Sequence, residues 1–145
     1  GGVGSAIAVA MAEAEVGRLA LYDTRSEATE KLADRLQQFF PKLSIQVGSN
    51  DPAGFEIVVN ATPMGMEPGD PLPVDVERIS KKIMVGEVVM KQEETPLLRA
   101  AQAKGCLTQI GTDMLFEQIP AYLAFLRLPT TSAENLRSLS RIRYQ

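Results

Sequence analysis

Apolar residues recur along this chain in two rhythms, and the rhythms alternate. Val3, Ala6, Ile7, Ala10, Met11 and Ala14 fall at helical spacing, which predicts a helix over residues 3–15 with Gly17 as its stop. A short apolar run at residues 18–22 reads as a strand. Ala28, Leu32, Leu36 and Phe39 return to helical spacing, so a second helix is expected over residues 27–40, closed by Pro41. Leu43, Ile45 and Val47 alternate with polar neighbours and predict a half-exposed strand. The runs at 55–60 and 83–90 read as buried parallel strands. Thr95-Pro96 opens a helix with a hydroxyl cap and a proline in its first turn, Leu97, Leu98 and Ala101 facing inward and Gly105 closing it. Residues 107–110 are the last expected strand. Gly111 then begins a helix running to about residue 126, which Pro120 should kink or deprive of one hydrogen bond. Thr131 and Glu134 have capping-box spacing for a terminal helix bearing Leu136, Leu139 and Ile142.

Strands alternating with helices imply an α/β fold built on a doubly wound parallel sheet, with ligands at the carboxyl ends of its strands. The opening Gly1-Gly2-Val3-Gly4 and the acid Asp23 sharpen that reading. A glycine-rich turn into a helix lets backbone N–H groups approach a pyrophosphate, and an acid ending the next strand accepts ribose hydroxyls. The pair is the second half of a dinucleotide-binding, Rossmann-like fingerprint. Plain glycine loops are common, and it is the spacing to Asp23 that favours the dinucleotide. The first glycine of a full G-x-G-x-x-G and the strand before it are expected to lie outside the given chain. Asp23 repels a 2′-phosphate and favours NAD, whereas Arg25, beyond Thr24, could neutralise one and pulls toward NADP. NAD is the favoured cofactor.

Composition removes other classes. With no histidine and one cysteine, Cys106, neither classical zinc sites nor Ser-His-Asp and Cys-His nucleophiles can be assembled, so no metal is expected. A net charge of −3 argues against nucleic acid as a partner. No apolar run reaches the ~20 residues of a membrane helix, and no membrane association is expected. One cysteine suits the cytoplasm and reads as a buried apolar residue. Asp113 and Glu117 have the spacing of a carboxylate pair but read as a solvated face, as do Lys81 and Lys82.

Three separated motifs then become specific. Asn60-Ala61-Thr62-Pro63-Met64-Gly65-Met66, the T-P-L-L-R-A-A-Q-A-K-G run from Thr95 and the G-T-D-M-L-F-E-Q run from Gly111 follow in order. With the glycine turn, they resemble the C-terminal cofactor domain of the shikimate/quinate dehydrogenase family. The resemblance implies a two-domain oxidoreductase that interconverts a ring hydroxyl and ketone by hydride transfer. The catalytic lysine and aspartate would lie in an N-terminal substrate domain outside this chain, leaving no catalytic residue here. Residues 1–126 would be the dinucleotide-binding domain lacking its first strand. Residues 127–145 would be a C-terminal helix packing on it or on the missing domain. By position, Gly1, Gly2, Val3 and Gly4 would hold the pyrophosphate, and Asp23, Thr24 and Arg25 the adenosine ribose. Asn60, Ala61, Thr62, Val88, Gly111 and Met114 would line the nicotinamide half, and Gln118 would reach a substrate hydroxyl. Met90 stands where the family usually has a substrate-holding tyrosine, and Lys91-Gln92-Glu93-Glu94 replaces an aromatic–proline or glycine-rich turn. The implied substrate is therefore shikimate, quinate or a related cyclic hydroxy acid, turned over by a monomer or homodimer. A non-catalytic dinucleotide sensor is the alternative.

Overall fold

A computed structural model describes all residues except Pro68, Arg143 and Gln145. The chain divides into two units, Gly1–Pro52 and Ala53–Gln145. It is α/β throughout, with every strand pair parallel.

The first unit holds α1 (Gly2–Glu13), β1 (Arg18–Leu21), α2 (Ser26–Phe39) and β2 (Ser44–Val47). β1 and β2 pair from Arg18↔Ser44 to Leu21↔Val47. Ala8 and Ala12, one turn apart on α1, are buried with Leu36 of α2 and Leu43, and Leu19, Leu21, Phe40 and Ile45 pack around them. Alanines at that spacing present a low surface on which a neighbouring element can sit closely. Two details differ from the pattern-based expectation. The turn after α1 is made by Glu15, at φ 58°, rather than by Gly17. Phe39 is 77% exposed, and Phe40 takes its place in the core. α2 ends at Phe39 and Phe40 has left the helical backbone, so its ring swings away from the direction helical spacing assigns.

In the second unit β3 (Ile57–Asn60), β4 (Met84–Glu87) and β5 (Leu107–Gln109) form a sheet in that order. Its core is Ile79, Ile83, Val85, Leu97, Leu98, Ala101 and Cys106. α3 (Pro96–Ala103) supplies the middle of that list. The Thr95 hydroxyl caps α3 by accepting from the Leu98 N–H, and Gly105 takes φ +80° after it. α4 (Gly111–Phe125) continues through Pro120. The proline deletes one donor, and its own carbonyl accepts from the Thr130 hydroxyl. α5 (Ala133–Leu139) is capped by Ser132, whose hydroxyl accepts from Asn135 N–H, so the cap lies one residue after Thr131. Leu139 is 70% exposed, and Ile142 lies beyond the helix.

The strands at 57–60 and 84–87 are shorter than their apolar runs, because the flanking residues turn away to reach loops. Cys106 is buried, with its thiol against the Ser80 carbonyl, as its apolar reading implied. Asp113 and Glu117 stay at the surface, as expected, and are joined there by a cation. Arg137 of α5 donates to Asp113 at 3.2 Å and to Glu117 at 2.7 Å, and lies over the Phe116 ring. The two carboxylates hold the Arg137 guanidinium above its ordinary value.

Candidate functional site

In the first unit, the candidate residues surround the start of α1 and the end of β1. Gly1 precedes the helix and makes no side-chain cap, so the first-turn N–H groups of Gly2 and Val3 are not taken by a capping side chain. A methyl group at Gly1 or Gly2 would meet nothing within 4 Å. Ser5, one turn on, sends its hydroxyl back to the Gly1 carbonyl at 3.0 Å. Val3 and Thr24 are exposed and Gly4 is half-buried. Such a start offers donors and positive partial charge to an anion.

Asp23 lies just beyond β1. Its Oδ1 accepts from the Arg25 backbone N–H at 2.9 Å and from the Arg25 guanidinium at 3.3 Å. These two bonds, the backbone one foremost, lower the carboxyl below its ordinary range. Both bonds end on Oδ1. Arg25 is thus an intramolecular partner of Asp23.

In the second unit, register brings Asn60 and Glu87 side by side at the ends of β3 and β4. Both are buried, and so is Thr95. Asn60 Nδ2 donates to Glu87 at 2.9 Å and to the Met64 carbonyl at 3.0 Å. Asn60 Oδ1 accepts from the Thr62 hydroxyl at 2.6 Å and from the Thr62 N–H at 3.0 Å. Glu87 Oε1 accepts from Val88 N–H at 2.9 Å and Val89 N–H at 3.2 Å, while Oε2 accepts from the Thr95 hydroxyl at 3.0 Å. Among the described residues, no buried side-chain nitrogen or oxygen lacks a partner. The network is fully satisfied, the condition under which buried polar groups rigidify a site.

The loops beyond these strands are also tied together. Gln92 Nε2 donates to the Gly65 carbonyl at 2.8 Å, and Lys91 pairs with Glu67 at 2.6 Å. Asp70 accepts from the N–H groups of Gly65 and Glu67. Gly111 is buried because its own chain crowds it: a side chain there would collide with the Val89 carbonyl.

Of the expected second-unit residues, Asn60, Thr62 and Val88 therefore meet through Glu87, and Gly111 packs on the next peptide. Ala61, Val88 and Met114 are half-buried. Met90 is 45% exposed. Gln118, two turns into α4, accepts from the Tyr122 hydroxyl at 3.3 Å. Pattern reading missed the part played by Glu87 and saw Thr95 only as a cap. The available signal was a polar residue ending each of two equal apolar strands, I-V-V-N and M-V-G-E. Among the described residues, no group of His, Cys, Asp and Glu could hold a metal ion, and no helix is long and apolar enough to cross a membrane.

No protein-family model matches the chain. It is 38% identical over 136 residues to a quinate/shikimate dehydrogenase (NAD(+)) of Corynebacterium glutamicum, covering 88% of this chain and 47% of that protein. It is 31% identical to a shikimate dehydrogenase (NADP(+)) of Streptomyces avermitilis, over 98% of this chain and 51% of the relative. Among solved structures, quinate dehydrogenase from Corynebacterium glutamicum in complex with NAD matches with TM-score 0.81 and 36% identity, over 95% of this chain and 51% of that one. The chain spans about half the length of the curated relatives it matches. The shared architecture is that of a Rossmann-like cofactor domain.

Proposed function

We propose that this chain, similar over most of its length to relatives of which it spans about half, belongs to the shikimate/quinate dehydrogenase family and is the dinucleotide-binding part of an NAD(P)-dependent oxidoreductase. The reaction is the interconversion of a ring hydroxyl and a ketone in shikimate, quinate or a related cyclic hydroxy acid, with NAD favoured. The protein acts in the cytoplasm, as a monomer or homodimer, on a small-molecule substrate. Residues 1–126 are its cofactor-binding domain, and the C-terminal segment that follows carries α5.

The observation that carries this reading is Asp23 just beyond β1, after a glycine-rich helix start with no side-chain cap. The residues fit the group: no side chain caps the first turn of α1, and both Arg25 bonds end on Asp23 Oδ1, on the side away from Oδ2. When bound, the nicotinamide supplies the hydride chemistry. The chain's own work is holding and orienting. Gly1, Gly2, Val3 and Gly4 would hold the pyrophosphate, and Asp23, Thr24 and Arg25 the adenosine ribose. The chain from Asn60 to Thr62, with Val88, Gly111 and Met114, would orient the nicotinamide half. Met90 and Gln118 would face the substrate. The catalytic lysine and aspartate belong to the part of the family's members that this chain does not span.

Initial rates of the intact polypeptide with shikimate and quinate, each paired with NAD and with NADP, test the reading. Turnover with NAD above NADP is expected. A preference for NADP would transfer the cofactor assignment to Arg25. Cofactor binding without turnover on any pair would favour the non-catalytic sensor.

A further inference from the structure

The Glu87 carboxylate is deep in the second unit, yet among the described residues its hydrogen-bond partners include no charged group. Its partners are an amide side chain, a hydroxyl and two backbone N–H groups. Placing a carboxylate in such surroundings is costly unless every oxygen is matched by donors. Here each one is. We infer that Glu87 is a positioning residue: it sets, from inside the fold, the strand-end backbone that the proposed function assigns to the nicotinamide half of the cofactor, and the inference rests on that reading.

The control runs along two arms. The first passes through Asn60. A side-chain amide can be turned either way, and Asn60 can serve Thr62 only with its oxygen facing that residue. Glu87 accepts and cannot donate, so it requires the Asn60 NH2 to face it. The amide oxygen is thereby directed at the Thr62 N–H and hydroxyl. The Thr62 hydroxyl in turn accepts from Met64 N–H at 3.1 Å, extending the order into the loop. The acid thus fixes the conformation of Ala61 and Thr62 without touching either.

The second arm is direct. Oε1 gathers the successive N–H groups of Val88 and Val89, which turns the chain at the end of β4. From the other side, Gly111 leaves no room for a side chain against the Val89 carbonyl. One stretch of backbone is therefore gripped by its N–H groups and confined at its carbonyl. The Thr95 hydroxyl completes the anchor by donating to Oε2 while capping α3, so the carboxylate cannot rotate without loosening a helix start.

Glutamine at 87 keeps the shape and replaces one acceptor with an NH2. Wherever that NH2 lies, it opposes donors: the Val88 and Val89 N–H groups on one side, or the Asn60 NH2 on the other. The test uses the intact polypeptide with two ligands, NADH and ADP-ribose. The second lacks the nicotinamide. In E87Q, the Kd for NADH should rise about tenfold, the loss of a charge-assisted hydrogen bond or its equivalent, while that for ADP-ribose stays within about twofold. T95V should behave like E87Q, and T95S, which keeps the hydroxyl, should restore NADH binding. T95V also keeps the inference testable if E87Q does not fold. Equal losses for both ligands, or no loss for NADH, would overturn the positioning role. Equal Kd values for the two ligands in the unaltered protein would overturn it too, since no nicotinamide contact would exist to position. An unaltered protein that binds neither ligand would remove the proposed function itself, a result separable from the others.

Discussion

The two units hold their candidate residues by opposite means. In the first, the features are at the surface and local: uncapped N–H groups, uncrowded glycines, and an acid bonded to a residue two positions along. In the second, they are buried and long-range, with Asn60 reaching a carboxylate 27 positions away. A site built from bare backbone needs little support and costs little stability. One built from buried polar groups is stable only while every member is present. The difference predicts where substitutions will be felt as loss of fold and where as loss of ligand.

The largest effect is expected from E87A. It leaves the Thr95 hydroxyl and two backbone N–H groups without their acceptor and the Asn60 NH2 with only the Met64 carbonyl, and should cost about 3 kcal/mol of stability. Chemical denaturation read by circular dichroism checks this, and a cost near zero would erase the contrast between the units. G111A comes next. Its methyl group has only backbone to displace, so a loss of about 2 kcal/mol is expected by the same measurement. The smallest effect on stability belongs to D23N, which should leave the denaturation midpoint almost unmoved. It should nonetheless weaken NAD binding about tenfold and narrow the preference over NADP, as measured by titration calorimetry. The acid dependence has a definite sign. The folded-state pKa of Asp23 is lowered, so its small contribution is present above the ordinary carboxylate range and fades as pH falls through the lowered value. The difference in stability between D23N and the parent should therefore shrink on acidification.

Much of this was legible in the chain. Helices with one apolar face and strands between turn residues announce themselves by period, so most elements lie within a residue or two of their expected ends. The first-unit candidates were legible for a related reason: a glycine turn and a strand-end acid are local chemistry. What escaped depended on partners distant in sequence. The partners of Glu87 emerge only when register sets it beside Asn60. Asp113 and Glu117 read as a wet surface, and the cation that joins them there arrives only when α5 returns with Arg137. Phe39 and Phe40 could not be told apart, because the choice depends on where the helix stops, the least determined property of a periodic pattern.

One feature also gives the second unit a clock of its own. The only thiol in the chain, Cys106, is sealed in the core beneath α3 with its sulfur against the Ser80 carbonyl. A thiol so placed reacts with an alkylating reagent only when that core opens. The rate of modification, followed by mass spectrometry, thus counts openings around β4 and α3 without a label or a substitution. Added dinucleotide should slow it if the ligand binds the closed form.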